Sequence, residues 1–236
     1  MVAIGMWIRL GISETPVFKR IVEEERIERV PVLEVLKRQP KQIILSALLR
    51  LPEQGPGFIV GTFIFTYATT VLGQSRNFIL MGVITQTILG FIWVVIAGAL
   101  SDKIGRKNMY MLGAAFMGIF GFIYFAMLNT GVPWIIFTAI AISLIPVMTQ
   151  YGPEAALIAE SFSPRLRYSG TSIGYQLASI IAGGPSPIIS TYLYATYHSS
   201  IPICLYILAM AIVGIGATAM LTDYTGKDIS AEYAGV

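Results

Sequence analysis

Residues 108–153, NMYMLGAAFMGIFGFIYFAMLNTGVPWIIFTAIAISLIPVMTQYGP, form a run of 46 residues without Asp, Glu, Lys or Arg. A membrane-spanning helix needs about 20 predominantly apolar residues. The run is therefore long enough for two spans, and the turn-forming residues 129–133 near its middle predict the connection between them. Membrane strands alternate in polarity over about 9–11 residues, and this run shows no such alternation. The pattern therefore predicts helices.

Three other charge-free runs extend this pattern along the chain. Residues 54–75 and 77–101 each have the length of one span, and residues 168–222 have the length of two. The sequence therefore predicts an all-α polytopic membrane protein. Its six transmembrane helices are expected at about residues 43–72, 77–100, 109–128, 133–158, 169–193 and 201–221.

The composition argues against several other classes of protein. Only 12% of the 236 residues are charged and 55% are hydrophobic, whereas about 25% of the residues of a soluble domain are charged. A net charge of +3 is too small to indicate a nucleic-acid-binding protein. With Cys204 as the one cysteine, the chain has no disulfide framework or cysteine metal cluster. We predict a lipid bilayer as the surroundings of the chain, and no metal, cofactor or nucleic-acid partner.

Lys and Arg residues are concentrated on one side of the predicted membrane. The N-terminal segment, the loops at 102–107 and 161–167 and the C-terminal tail hold 14 of the 16, and the opposite loops hold only Arg76. Because loops rich in Lys and Arg stay cytoplasmic, we expect a multi-pass protein of the cell membrane with both termini in the cytoplasm. The expected organisation is a helix tail at 1–10, a cytoplasmic linker at 11–42, six helices at 43–222 and a cytoplasmic tail at 223–236.

Three charged side chains lie inside the predicted spans. Arg50 and Glu53 are three residues apart, so they share a helix face and can neutralise each other. Glu154 follows Pro153, and Tyr151 lies one turn before it. Charged groups are rare within membrane spans and by default indicate substrate or proton sites. The alternative is that Arg50 extends to the cytoplasmic interface, which would make its pair with Glu53 structural.

Uncharged polar side chains at mid-depth add further candidates. A single hydroxyl in a span usually bonds its own helix, but polar side chains on several helices are typical of a cavity lining. The candidate substrate or proton residues are therefore Arg50, Glu53, Tyr67, Gln86, Tyr151, Glu154, Tyr175 and Gln176.

Residues 98–107, GALSDKIGRK, join two spans through a very short loop. Gly98 allows close helix packing and Gly105 allows the turn, while Asp102 can face the positive N-terminus of a neighbouring helix. Glu160 is expected to pair with a nearby arginine, either Arg106, Arg165 or Arg167. These groups predict a charge latch that forms in one conformation and breaks in another. Its residues are Gly98, Asp102, Gly105, Arg106, Glu160 and Arg167.

Residues 170–174, GTSIG, match the G-x-S-x-G pattern of serine hydrolases. That pattern requires a preceding strand and a histidine base. Here the segment lies in a predicted span, and the one histidine, His198, lies on the opposite side of the predicted membrane. We therefore predict that the protein is not an enzyme, and an intramembrane hydrolase with Ser172 as its nucleophile is the less favoured alternative.

The segment 98–107 resembles the G-x-x-x-D-[RK]-x-G-R-[RK] loop motif of the major facilitator superfamily, which follows the second helix of a six-helix half. Further stretches resemble the metabolite:proton symporter family, which includes shikimate, α-ketoglutarate and proline/betaine transporters. These stretches are SETPVF at 13–18, LRLPE at 49–53, and PEAA at 153–156 continuing to RYSGTSIGYQ at 167–176. The resemblance covers nearly the whole chain.

This resemblance implies both a fold and an activity. The six spans are implied to be equivalent to helices 7–12 of a twelve-helix fold, residues 1–10 to be the tail of helix 6, and the partner to be a missing N-terminal six-helix half. The implied function is secondary active transport of a small organic acid or zwitterion, by proton symport. The alternative is a non-transporting membrane fragment or scaffold that lacks activity alone.

Overall fold

The structure, a computed structural model, describes residues 31–163 and 166–224. All regular elements in these residues are helical, and none of them is a strand. The predicted helix tail at 1–10, most of the linker at 11–42 and the tail from residue 225 onward lie outside the described residues, as does Arg165.

The helices follow one another through short connections. Their bounds are α1 Pro31–Arg38, α2 Pro40–Leu49, α3 Leu51–Phe58, α4 Ile64–Thr70, α5 Arg76–Ile104, α6 Arg106–Leu128, α7 Pro133–Ile142, α8 Leu144–Glu160, α9 Arg167–Ala178, α10 Pro185–Tyr197 and α11 Ile201–Ala219. A π-helical turn at Ile59–Phe63 connects α3 to α4, and a second at Ser179–Gly183 connects α9 to α10.

Four helical segments of the described chain are long and apolar enough to cross a membrane. They are α5, α6, the α7–α8 pair and α11, with mean hydropathies between 1.7 and 2.3. These segments overlap the spans predicted at 77–100, 109–128, 133–158 and 201–221. The chain is therefore a multi-pass membrane protein, and its described residues form an all-helical fold.

The other two predicted spans are not unbroken α-helices. The segment 43–72 contains parts of α2, all of α3 and α4, and a π-helical turn, so its backbone is helical but interrupted. Pro52 and Pro56 explain the interruption, because proline has no N–H to donate to the preceding turn. In the segment 169–193, the second π-helical turn lies next to the glycine and proline cluster at 183–187.

Side chains of neighbouring helices bond carbonyls that the interrupted helix leaves free. The Tyr110 hydroxyl donates to the Leu49 carbonyl at 2.6 Å. The Pro52 carbonyl lacks its usual donor, because that position is Pro56, and it accepts from Gln150 Nε2 at 3.3 Å. Unpaired backbone groups are costly inside a membrane. The two bonds therefore stabilise the α2–α3 junction against α6 and α8.

Two clusters of buried apolar side chains hold the helices together. The larger cluster joins α3 and α4 to α6, α7 and α11, and the smaller joins α1 and α2 to the end of α8. Leu51 belongs to the larger cluster and Leu49 to the smaller one. Arg50 therefore lies at the boundary between two apolar cores, where a charge is tolerated only with close partners.

Gly152 marks the close approach of α8 to α5. A Cβ atom at Gly152 would lie 2.8 Å from the backbone nitrogen of Gly98. Such a contact is too short, and a backbone atom cannot turn aside as the end of a flexible side chain can. The close packing expected at Gly98 is therefore present, and it depends on the absence of a Cβ atom at Gly152; a Cβ atom at Gly98 would lie at an ordinary 3.9 Å from the Gly152 carbonyl oxygen.

We predict that Gly152→Ala lowers the free energy of unfolding by about 1–3 kcal/mol, because the added methyl group overpacks the α5–α8 contact. The measurement is unfolding by titration with sodium dodecyl sulfate, followed by circular dichroism. Gly216→Ala is the matched control, since nothing lies within 4 Å of a Cβ atom at that position of α11. This control should be neutral or stabilise by about 0.5–1 kcal/mol. Equal stability of the two variants would contradict the prediction.

Candidate functional site

Arg50 lies at the junction of α2 and α3, where the regular hydrogen bonding of the helix is interrupted. Its carbonyl accepts hydrogen bonds from the backbone nitrogens of both Glu53 and Gln54, at 3.2 and 2.9 Å. Its side chain extends toward α8 and α9 and is only 5% exposed. The side chain is therefore buried among helices and does not extend to the exposed surface of the described structure.

Two carboxylates contact the Arg50 guanidinium. Nε donates to Glu154 Oε1 at 2.6 Å, and Nη2 donates to Glu53 Oε2 at 3.1 Å. The Glu154 side chain is fully buried, and that of Glu53 is 9% exposed. Buried charges are tolerated when they are paired and hydrogen-bonded. Both acids therefore depend on Arg50 as their counter-charge, and the buried guanidinium depends on the acids.

Uncharged groups complete the surroundings of the guanidinium. Nη1 donates to the Tyr175 carbonyl at 2.8 Å, and Nη2 donates to Gln54 Oε1 at 2.7 Å. The centroid of the Tyr175 ring is 3.9 Å from Arg50 Cζ, which is a cation–π contact. Together, Arg50, Glu53, Gln54, Glu154 and Tyr175 are termed the Arg50 cluster.

The Arg50 cluster contains one cation and two acids. Oε2 of Glu154 is buried and has no hydrogen-bond partner among the described residues. A second carboxylate beside a single cation is unfavourable at low dielectric unless it gains a proton or a further partner. The arrangement therefore has the chemistry to bind a proton at an acid and an anion at the guanidinium.

Two candidate residues lie in helix interfaces and not at Arg50. Tyr67 is buried in α4, where its hydroxyl donates to Asn129 Oδ1 at 2.6 Å. Gln86 is buried in α5, and its Nε2 atom donates to Ser143 Oγ at 2.8 Å. Both side chains link helices, and neither faces an open surface of the described structure.

Tyr151 and Gln176 are exposed on faces of α8 and α9 that the described helices do not cover. Ser172, one turn before Gln176, is exposed as well. Tyr175 connects this face to the Arg50 cluster, since it is half-buried and contacts Arg50. Polar side chains within a span usually face protein or a water-filled cavity.

The loop between α5 and α6 is held by charged side chains. Arg106 Nη2 donates to Asp102 Oδ1 at 3.2 Å, and Arg106 Nη1 donates to Glu160 at the end of α8. Gly105 has φ +101°, a conformation that residues with a Cβ atom rarely adopt. Four of the predicted latch residues thus lie together, and Arg167 is the first residue of α9.

Sequence reasoning missed Gln54 and Lys107. Gln54 lies four residues after Arg50, and this spacing of helix neighbours was a usable signal. Lys107 Nζ donates to the carbonyls of Ala219 and Leu221, both at 2.7 Å. A cation from the loop therefore caps the C-terminal end of α11. No sequence spacing connects residues so far apart.

Four helical segments long enough to cross a membrane, together with a buried charge cluster, define a polytopic membrane protein. The family described as "Sugar (and other) transporter" matches residues 15–225. The chain therefore belongs to this family of the major facilitator superfamily, which confirms the resemblance found in the sequence. The family consists of transporters and not enzymes, so the hydrolase alternative is wrong.

Two curated relatives from Escherichia coli illustrate the similarity. The inner membrane metabolite transport protein YhjE is 27% identical over 230 residues, and the shikimate transporter is 28% identical over 232 residues. These matches cover 95% and 93% of this chain, and 51% of each relative. The chain thus spans about half the length of the curated relatives that it matches.

We predict that Arg50→Met lowers the free energy of unfolding by about 3–5 kcal/mol, because Glu53 and Glu154 lose their buried counter-charge. Adding Glu53→Gln and Glu154→Gln to the same chain should recover most of this loss. Unfolding by sodium dodecyl sulfate again provides the measurement.

The matched control is Arg38→Met, which removes an exposed cation paired with Glu34 four residues earlier. Exposed pairs contribute about 0–1 kcal/mol, so this control should change little. Either a stable Arg50→Met variant or a triple variant no more stable than Arg50→Met alone would disprove the interdependence of the three charges.

Proposed function

We propose that the chain is the C-terminal half of a twelve-helix secondary transporter that carries a small organic acid or zwitterion together with a proton. The observation that carries the proposal is the Arg50 cluster, a buried guanidinium bonded to two carboxylates. Charged residues within a membrane protein usually mark substrate or ion pathways. Membership of a transporter family, and similarity to a shikimate transporter, support the proposal.

In this proposal, residues 40–70 and 167–197 form the two remaining spans, which makes six in total. Each segment has 31 residues; a helix of that length extends about 45 Å, more than the hydrocarbon thickness of about 30 Å. Outside the Arg50 cluster, their charged residues are Lys41 and Arg167, each near an end. The six spans then correspond to helices 7–12, and a separate six-helix half forms the other wall of the substrate site.

Arg50 is the proposed anchor for a substrate carboxylate. A guanidinium can hold a carboxylate by two parallel hydrogen bonds, and the low dielectric of a buried site strengthens them. Tyr151 and Gln176, on the uncovered faces of α8 and α9, offer hydrogen bonds to the remainder of the substrate. The two acids beside Arg50 suit the ammonium group of a zwitterion.

Glu53 is the proposed proton site. A bound substrate would place a third carboxylate beside a single cation, so uptake of a proton restores the balance of charge. Glu53 is favoured over Glu154 because its bond to Arg50 is longer, 3.1 Å against 2.6 Å, and because its side chain keeps some exposure. Substrate and an ionised Glu53 then compete for the positive charge of the same guanidinium, so protonation of Glu53 favours binding of the substrate.

We place the α5–α6 loop and both termini on the cytoplasmic side of the cell membrane. The concentration of Lys and Arg supports this orientation, and the relative YhjE is an inner membrane protein. The bonds from Arg106 to Asp102 and Glu160 hold α5, α6 and α8 together on this side. They act as a latch that releases when the cytoplasmic side opens.

Transport into proteoliposomes tests the proposed function. The chain is reconstituted alone and joined to a preceding six-helix half, and uptake of shikimate, proline and glycine betaine is measured under an imposed pH gradient. Accumulation that depends on the gradient supports the proposal. Absence of transport in both preparations would contradict it and favour a membrane scaffold.

We predict that Glu53→Gln abolishes proton-driven accumulation and preserves exchange of substrate across the membrane. A gradient of about one pH unit supports roughly tenfold accumulation per coupled proton, since tenfold corresponds to about 1.4 kcal/mol. The variant cannot take up this proton at residue 53, so the ratio of substrate concentration inside to that outside should fall to about one. Glu34→Gln, the same change at an acid of α1 outside the Arg50 cluster, is the control. Full accumulation by Glu53→Gln would shift the proton site to Glu154 or to the other half.

We predict that Asp102→Asn slows turnover about twofold to tenfold, equivalent to roughly 0.4–1.4 kcal/mol in the barrier. Asp102 is largely exposed, and its pair with Arg106 crosses the tight turn at Gly105 between α5 and α6, so stability should change by no more than about 0.5 kcal/mol. Lys103→Gln, at the next residue, controls for loss of an exposed charge. Turnover and stability are measured on the same preparations, and loss of stability with normal turnover per folded molecule would make the residue structural.

A further inference from the structure

Gln54 occupies a position on Arg50 that a carboxylate ligand needs. A guanidinium has five N–H groups, and four of those on Arg50 donate to described acceptors. Both N–H groups of Nη2 are used, one by Glu53 and one by Gln54. A carboxylate that binds by two parallel bonds across Nη1 and Nη2 must therefore displace one of these acceptors.

Of the two acceptors, Gln54 is the one that can leave at lower cost. Displacing Glu53 would leave an unpaired, nearly buried carboxylate, which is strongly unfavourable. The Gln54 amide is neutral, and its residue is only partly buried. Water can replace both of its hydrogen bonds when the side chain turns outward.

Gln54 is held in place by the first residue of the second π-helical turn. Its Nε2 atom donates to Ser179 Oγ at 3.2 Å, and Ser179 Oγ donates to the Tyr175 carbonyl at 3.3 Å. The same carbonyl accepts from Arg50 Nη1. The hydrogen bonds thus form a closed ring that runs from Arg50 through Gln54, Ser179 and Tyr175 back to Arg50.

We infer that Gln54 is a neutral placeholder on Arg50, which the carboxylate of the substrate displaces on binding. The inference rests on the proposed function and deepens it, because it identifies the ligand group as a single carboxylate that binds by two parallel hydrogen bonds. Gln54 is then a positioning residue: it keeps the empty guanidinium satisfied and sets the affinity for the anion. The ring through Ser179 determines how firmly the placeholder is held.

Binding of shikimate tests this inference by titration calorimetry in lipid nanodiscs, with the full chain joined to the same preceding six-helix half that the transport assay uses. Gln54→Ala removes the competitor and should tighten binding about threefold to tenfold, where tenfold is about 1.4 kcal/mol. Gln54→Glu replaces it with a charged competitor and should weaken binding about tenfold or more. Ser179→Ala loosens the placeholder, so it should tighten binding less than Gln54→Ala does. The methyl ester of shikimate, which has no carboxylate, should not show these opposite effects.

Gln74→Ala and Gln74→Glu are the matched controls, because this glutamine lies in the connection between α4 and α5 and its side chain bonds only the Leu72 carbonyl in the described structure. A merely structural role of Gln54 would weaken binding in both of its variants, and that result would overturn the inference. Unchanged affinities in the Gln54 variants, with clear binding by wild type, would overturn it while leaving the proposed function intact. Absence of binding by wild type and by Gln54→Ala, with shikimate, proline and glycine betaine alike, would contradict the proposed function and this inference together.

Discussion

The bond between Arg50 and Glu154 is the constraint on which the rest of the structure depends. It joins the α2–α3 junction to α8 through two side chains that are almost entirely buried, at 2.6 Å. Neither charge is tolerable there without the other. The chain must therefore bring three segments, α2–α3, α8 and α9, to one point, and the Tyr175 carbonyl and ring complete the enclosure of the cation.

Helix α8 connects this site to the charged loop at the end of the membrane-crossing segments. In the first part of this stretch of α8, Gln150 bonds the Pro52 carbonyl and Gly152 contacts Gly98. Further along the same helix, Glu154 bonds Arg50 and Glu160 bonds Arg106. These contacts lie within 11 residues, about 15 Å of helix. A rigid displacement of α8 therefore alters the proposed substrate site and the proposed latch together. This is the physical route by which ligand binding and opening of the loop side can be linked.

The sequence alone was sufficient to predict most of the helices, because a long charge-free run has few explanations other than a membrane-crossing segment. It also located the charges of the site, since Arg50, Glu53 and Glu154 stand alone in apolar surroundings. The sequence could not locate the π-helical turns, because their positions depend on which carbonyls a proline leaves without a donor and on which neighbouring side chains bond them. Nor could spacing reveal that Glu154, 104 residues from Arg50, binds it more closely than Glu53 does. Polarity at mid-depth also could not show that Tyr67 and Gln86 lie in helix interfaces and not on an open face.

The charge of the Arg50 cluster limits the kind of ligand that it can hold. With both acids ionised, the cluster already carries one excess negative charge, so an incoming carboxylate raises the excess to two. Uptake of one proton by Glu53 offsets one of these charges, and a zwitterion offsets another through its own cation. A dicarboxylate brings a further negative charge that neither the single guanidinium nor a single proton can balance at low dielectric. The same stoichiometry that makes the site suitable for proton coupling therefore favours monocarboxylates and zwitterions over more highly charged acids.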